Sequence, residues 1–274
     1  MVLRVLTALV GIPILLSAIW SGAPWLTIVV VLSALLGIRE LYRLYTANDS
    51  RLPLSLGALW VAAFVLGGQA ASGLPDFLLI SLGIFLGGAF VTLLWLIAFY
   101  QDHDLPKAVA YLMGGPVYVG FLLAHALVLR ELEGADSDLG RNWLLVALLV
   151  TFATDSGAFL VGKSLGRRSL APSISPNKTW EGAVGGLLLA VAAALALEQL
   201  LDLGLSRWQT SLIGATVGMV SQLGDLFESK LKRISSVKEA GSIIPGHGGI
   251  LDRLDSLLVS IPTVYYLVSV VFGP

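Results

Sequence analysis

The chain has 274 residues, 56% of them apolar and only 13% charged, with a net charge of -1. A soluble domain averages about 25% charged residues, so this composition calls for lipid as solvent, and the near-neutral balance excludes nucleic acid as a partner. With no cysteine, disulfides, thiolate metal sites and cysteine nucleophiles are excluded as well.

Apolar segments of about 17–25 residues, enough to cross a bilayer, fall near 3–20, 25–42, 53–72, 77–99, 108–129, 143–162, 182–201, 208–228 and 254–272. Their length and lack of strict alternation predict helices, and spanning segments must satisfy their own backbone groups. The predicted fold is all-α, a polytopic membrane bundle of about nine transmembrane helices. The stretch after Arg4 is read as the first span, not as a cleaved leader ending near Ser21-Gly22-Ala23.

With the N-terminus in the cytoplasm, fourteen of the 17 lysines and arginines fall on inside segments, leaving Arg130, Arg141 and Arg207 outside. That asymmetry predicts N-in, C-out, with the charged connections 163–181 and 229–253 facing the cytoplasm. The division expected is a scaffold, 1–142, and a catalytic region, 143–274. Gly83 and Gly87, Gly182 and Gly186, and Gly214 and Gly218 are spaced for close helix packing. The mixed-charge segment 130–142 reads as a solvated connector. His103 and His125 stand alone and read as structural.

Gly157-Ala158-Phe159-Leu160-Val161-Gly162-Lys163-Ser164 matches G-x-x-x-x-G-K-[ST]. A phosphate-cradling loop needs a strand leading into it; here the apolar residues continue a membrane helix, so the match is taken as accidental. Asp155, inside the sixth span, is costly there and implies a buried role. Ser175-Pro176 reads as an N-cap and first helical residue, which would place Lys178 and Glu181 one turn apart at a helix entry.

The stretch from Ser221 to Asp255 is the densest in charge, with eleven ionisable side chains in 35 residues. Ser221, Asp225, Glu228 and Lys232 share one helical face. Acids so near a bilayer need a partner or a purpose, and Glu228 is suited to pairing with Lys232 or Arg233. Ile244-Pro245-Gly246-His247-Gly248-Gly249 then turns into the last span. Closely spaced glycines permit tight approach and positive φ, and the helix start that follows suits a phosphate. Asp252 and Asp255, spaced i, i+3, could join Asp225 in binding a hard cation through oxygen, which points to Mg²⁺. His247 is read as a polar substrate contact, because transfer to an anionic nucleophile needs little acid–base help.

The run Ser229-x-Leu231-Lys232-Arg233-x4-Lys238-Glu239-x-Gly241-x2-Ile244-Pro245-x-His247-Gly248-Gly249-Ile250-x-Asp252-Arg253-Leu254-Asp255 resembles the signature of the phosphatidate cytidylyltransferase (CDP-diacylglycerol synthase) family. Ser221-Gln222-x-Gly224-Asp225 and Ser175-Pro176-Asn177-Lys178-Thr179-x-Glu181-Gly182 are similar to it too. The likeness lies within 143–274. It departs at Glu239, where the family usually has Asp.

The resemblance implies that CTP and phosphatidic acid give CDP-diacylglycerol and pyrophosphate. It further implies a divalent metal, Mg²⁺ or Mn²⁺, a monovalent ion such as K⁺, and a homodimer among membrane lipids. The expected location is a bacterial-type inner (cytoplasmic) membrane, with the active site facing the cytoplasm. Asp225, Asp252, Lys232, Arg233 and Arg253 are the candidate catalytic residues, with Asp225, Asp252 and Asp255 on the metal. Ser175, Asn177, Lys178, Glu181, Ser221, Lys238, Gly246, His247, Gly248 and Gly249 are the candidate substrate contacts. Rival readings are a CTP-dependent lipid-alcohol kinase of polyprenol type, which would release CDP, and an ion-coupled transporter using Asp155, Asp225 and Glu228.

Overall fold

In a computed structural model, the structure describes residues 2–45, 52–101, 104–132, 138–241, 243 and 248–272, with side chains described from Leu9 onward. The helices are α1 (Val2–Ser21), α2 (Trp25–Tyr45), α3 (Leu54–Ala70), α4 (Leu74–Phe99), α5 (Leu105–Arg130), α6 (Asp138–Leu165), α7 (Trp180–Leu201), α8 (Arg207–Ile234) and α9 (Leu251–Val271). Each coincides with one expected segment.

Among the described residues, six of these are long and apolar enough to cross a membrane: α2, α4, α5, α6, α7 and α9. α3 and the segment Leu9–Ser21 of α1 are shorter apolar helices. α8 joins neither group, because Gln209, Thr210, Ser211, Ser221 and Gln222 dilute its apolar residues and its C-terminal third is charged. Only 17% of the apolar window of α4 is buried, and Leu79, Phe90, Ile97 and Phe99 stand exposed along it. Such a flank calls for an apolar surrounding and suits lipid.

Two compact units share the chain. The first comprises Met1–Val128 with Ser235–Asp252, the second Leu129–Ile234 with Arg253–Pro274. In the first, α2 packs on α1 and α3, and α3 on α4 and the middle of α5. α5 carries π-helical turns at Ala110–Gly114 and Val117–Phe121 on either side of Gly115-Pro116, where proline denies the regular helix a donor. His125 is fully buried. Its Nδ1 is 2.9 Å from the Phe121 carbonyl, and its ring stands edge-on to Phe77 and Phe121; this is a packing histidine, as expected. His103 lies outside the described residues.

In the second unit α6 and α7 pack along most of their length, α8 lies on α7, and α9 lies against α8 and α6. Between α6 and α7 a two-stranded antiparallel hairpin intervenes, β1 (Ser169–Ala171) and β2 (Ser175–Thr179). This corrects two expectations. Ser175-Pro176 does not open a helix; it begins β2. The cap of α7 is Thr179, whose Oγ1 accepts from the Gly182 N–H at 3.1 Å. Lys178 and Glu181 are therefore not a turn apart on one helix: Lys178 is on the strand and Glu181 is in the first turn of α7.

Candidate active site

The second unit gathers most of the polar groups. The hairpin is anchored at both ends: the Trp180 N–H donates to the Arg168 carbonyl at 3.0 Å, and Arg233 Nε on α8 donates to the Ile174 carbonyl at 3.1 Å. Glu181 Oε2 accepts from the Arg167 and Arg168 N–H groups at 3.0 and 3.3 Å. It thereby ties the start of α7 to the exit from α6, where its charge also complements the helix dipole.

Held in this way, β2 presents Lys178 to α8. Its Nζ lies 2.7 Å from Asp225 Oδ2, while the Ser229 hydroxyl donates to Asp225 Oδ1 at 3.4 Å. The pair borders a cavity of about 290 Å³. Its polar wall is Asp155, Asn177, Lys178, Thr179, Gln222 and Asp225; Phe159, Leu170 and Ala183 form an apolar side. Asp155 and Asp255 both lie within electrostatic range of Asp225. The approach of Asp255 follows from Gly224: a Cβ there would stand 2.6 Å from the Asp255 carbonyl oxygen, so only glycine lets that turn rest on α8. Asp255 itself follows the single helical turn Leu251–Leu254, and its Oδ1 accepts from the Ser256 N–H at 2.6 Å.

Other expected residues sit differently. Ser221 is fully buried, with its hydroxyl donating to the Gly218 carbonyl at 3.2 Å. Glu228 is fully buried and pairs with Lys232, one of the two partners its position offered. Arg233 and Arg253 are exposed.

The first unit holds the rest of the expected site. Asp252 Oδ2 accepts from the Ala240 and Gly249 N–H groups at 3.1 and 2.9 Å. Gly248 has φ +81°, a conformation that requires glycine. Lys238 and Glu239 are exposed. Gly246 and His247 lie outside the described residues. Sequence reasoning missed Glu40, an acid within α2 that is fully buried and accepts from the Leu251 N–H at 2.9 Å. The signal was available: a lone carboxylate inside an apolar span is costly unless it serves a purpose.

Carboxylates are the oxygen donors a hard divalent cation prefers, and Asp155, Asp225 and Asp255 supply three in mutual electrostatic range. In the present side-chain arrangement Lys178 takes up Asp225 Oδ2. Among the described residues no group of three or more His, Asp or Glu is drawn together tightly enough to hold an ion. The chemistry of the donors fits a metal, and the Lys178 ammonium stands where positive charge is wanted.

The model of the cytidylyltransferase family matches residues 2–271. The chain is 33% identical over 270 residues to a phosphatidate cytidylyltransferase of Bacillus subtilis, covering 97% of each chain. It is 32% identical over 267 residues to the enzyme of that name from Staphylococcus saprophyticus, with 97% of this chain and 98% of the relative covered. With the Staphylococcus aureus enzyme the identity is 32% over 270 residues at the same coverage.

Proposed function

Given that the chain belongs to the cytidylyltransferase family, we propose that it is an integral membrane phosphatidate cytidylyltransferase, joining CTP to phosphatidic acid to give CDP-diacylglycerol and pyrophosphate. The observation that carries this reading is the end-to-end likeness, 33% identity over 97% of both chains, to a relative bearing that name. The polar cavity at Lys178 and Asp225 is consistent with it.

The reaction brings one anion against another. A phosphatidate phosphate oxygen attacks the α-phosphorus of CTP; the new P–O bond forms as the α–β anhydride bond breaks, and pyrophosphate leaves. Repulsion between the phosphates is the barrier the protein can lower. Lys178 meets the incoming phosphates at the cavity wall, and Asn177 and Thr179 beside it offer further polar contacts. Within the second unit, Arg233, Lys232 and Arg253 are the cations offered to phosphatidate and the leaving group. The apolar side at Phe159 and Leu170 suits the glycerol–acyl end of the lipid. Asp252, through two backbone amides, fixes the turn at Gly248-Gly249, which the resemblance to the family signature makes a candidate phosphate contact.

Asp225 and Asp255, with Asp155 nearby, would hold a divalent cation, Mg²⁺ or Mn²⁺, which when bound neutralises phosphate charge and aligns the reacting groups. Lys178, which now rests on Asp225 Oδ2, would be free to turn to substrate phosphate if a cation took that oxygen. A monovalent cation, a homodimeric assembly, nine spans, an N-terminus in the cytoplasm and a site on that side complete the reading. The distribution of fourteen of 17 basic residues supports the orientation.

The test uses the purified full chain in detergent with α-labelled CTP and phosphatidate. Label passing into lipid with equimolar pyrophosphate, abolished by a divalent chelator and restored by Mg²⁺, is the expected result. Release of CDP with a phosphorylated lipid, or no turnover at all, would overturn the assignment.

A further inference from the structure

Glu40 is the only fully buried acid of its unit among the described residues, and it lies in a helix expected to serve merely as scaffold. Its Oε2 accepts from the Leu251 N–H at 2.9 Å. Gly241 and Gly249 rest directly on the same carboxylate, and a Cβ at either would collide with it. Beside it, Asp252 Oδ2 accepts from the Ala240 and Gly249 N–H groups at 3.1 and 2.9 Å. Two carboxylates from distant parts of the chain thus grip the same two backbone stretches, Ala240–Gly241 and Gly249–Leu251. Glu40 Oε1 has no hydrogen-bond partner among the described residues. An acid buried in an apolar span is expensive, and apolar packing alone does not account for one placed here.

We infer that Glu40 is a positioning residue for the transfer proposed above: it fixes the backbone at Gly249–Leu251 and, through it, Asp252 and the Gly248-Gly249 turn. The inference rests on that functional reading for its kinetic consequence only. What matters is the reach of the acceptor to Leu251. Glutamine keeps an oxygen at that reach without the charge. Aspartate keeps the charge but falls short by one methylene.

The experiment compares Glu40→Gln, Glu40→Asp and Glu40→Ala in the full-length protein, following turnover of CTP and phosphatidate together with thermal unfolding. Glu40→Gln should retain most of the wild-type kcat. Glu40→Asp and Glu40→Ala should lose on the order of 10–100-fold, as orienting partners typically do, at little changed KM for CTP. An order in which Asp outperforms Gln, or normal kcat in Glu40→Ala, would overturn the inference.

A second variant guards against misfolding. The nearest atoms to a Cβ at Gly241 all belong to Glu40, so Gly241→Ala should impair kcat in the wild-type background and be harmless when added to Glu40→Ala. Strictly multiplicative losses would overturn it. Should the wild-type protein show no turnover, the functional reading fails by itself, and amide exchange decides the inference: faster exchange at Gly249 and Leu251 in Glu40→Ala supports it, and unchanged exchange refutes it.

Discussion

The Lys178 ammonium lies 2.7 Å from Asp225 Oδ2, linking the hairpin to the C-terminal third of α8. Both side chains are partly open, at 25% and 34%, and pairs of that kind add little to stability. Both line the cavity wall, where the proposed transfer would use them. Lys178→Ala and Asp225→Asn should each lower kcat/KM on the order of 10²–10³-fold, as removal of one aligned charge-stabilising donor does, with the unfolding midpoint nearly unchanged. Lys178→Arg should not rescue, because a planar fork cannot replace a compact ammonium on a short strand. Steady-state kinetics beside a melting curve check this; a matching fall in melting temperature would reduce the pair to a brace.

Glu228 and Lys232 call for the opposite experiment. Glu228 is fully buried and Lys232 is 14% exposed, so removing one partner strands a buried charge. Lys232→Met should destabilise the protein by about 3–5 kcal/mol. Adding Glu228→Met should recover most of that stability, since apolar replacement of a whole buried pair is often neutral. If Lys232 also clamps phosphate, the double variant will fold normally and still turn over slowly. Recovery of both stability and rate would confine Lys232 to a structural role.

Helix placement was legible because bilayer-length apolar runs leave few alternatives, and among the described residues all nine helical segments fall where expected. Membrane-crossing character was less so: α8 mixes polar residues through its length, and length plus composition do not single it out. The hairpin was hidden because Ser175-Pro176 carries the same local signal as a helix cap; the real cap, Thr179, is set by the turn that brings β2 back along β1. Asp225 and Lys178 were each identified, but their meeting depends on tertiary packing that spacing does not encode. Glu40 went unnoticed because the likeness to the family was sought in 143–274, while its partners Leu251 and Gly249 lie 211 and 209 positions away along the chain.

Glycine packing between α6 and α7 sets the width of the cavity. A Cβ on Gly186 would lie 2.8 Å from the Thr154 carbonyl oxygen, and one on Gly182 would lie 2.8 Å from that of Ala158. Asp155, Ala158 and Phe159 line the cavity from α6, Gly182 and Ala183 from α7. Gly186→Leu should therefore cost about 1–3 kcal/mol through overpacking and raise KM by spreading the walls. Gly83→Leu, where a Cβ meets nothing within 4 Å, should leave both unchanged. Equal tolerance at the two positions would show that the helices separate without disturbing the site.

Lys163 tests whether a motif can mislead. Gly157 to Ser164 is helical throughout, inside α6, so its amides are spent on the helix and do not form a cradle. The Ser164 hydroxyl donates to the Leu160 carbonyl at 2.7 Å, and Lys163 Nζ, exposed, lies 5.8 Å from the centre of the Phe159 ring. Lys163→Ala should leave kcat, the KM for CTP and thermal stability close to wild type, within about twofold in rate, because exposed substitutions rarely exceed about 0.5 kcal/mol. The comparison with Lys178→Ala in one assay is decisive, since both remove a lysine near the same cavity and only Lys178 touches Asp225. A Lys163→Ala protein that folds normally yet is inactive would restore the phosphate-loop reading and move the nucleotide to the α6 end of the cavity.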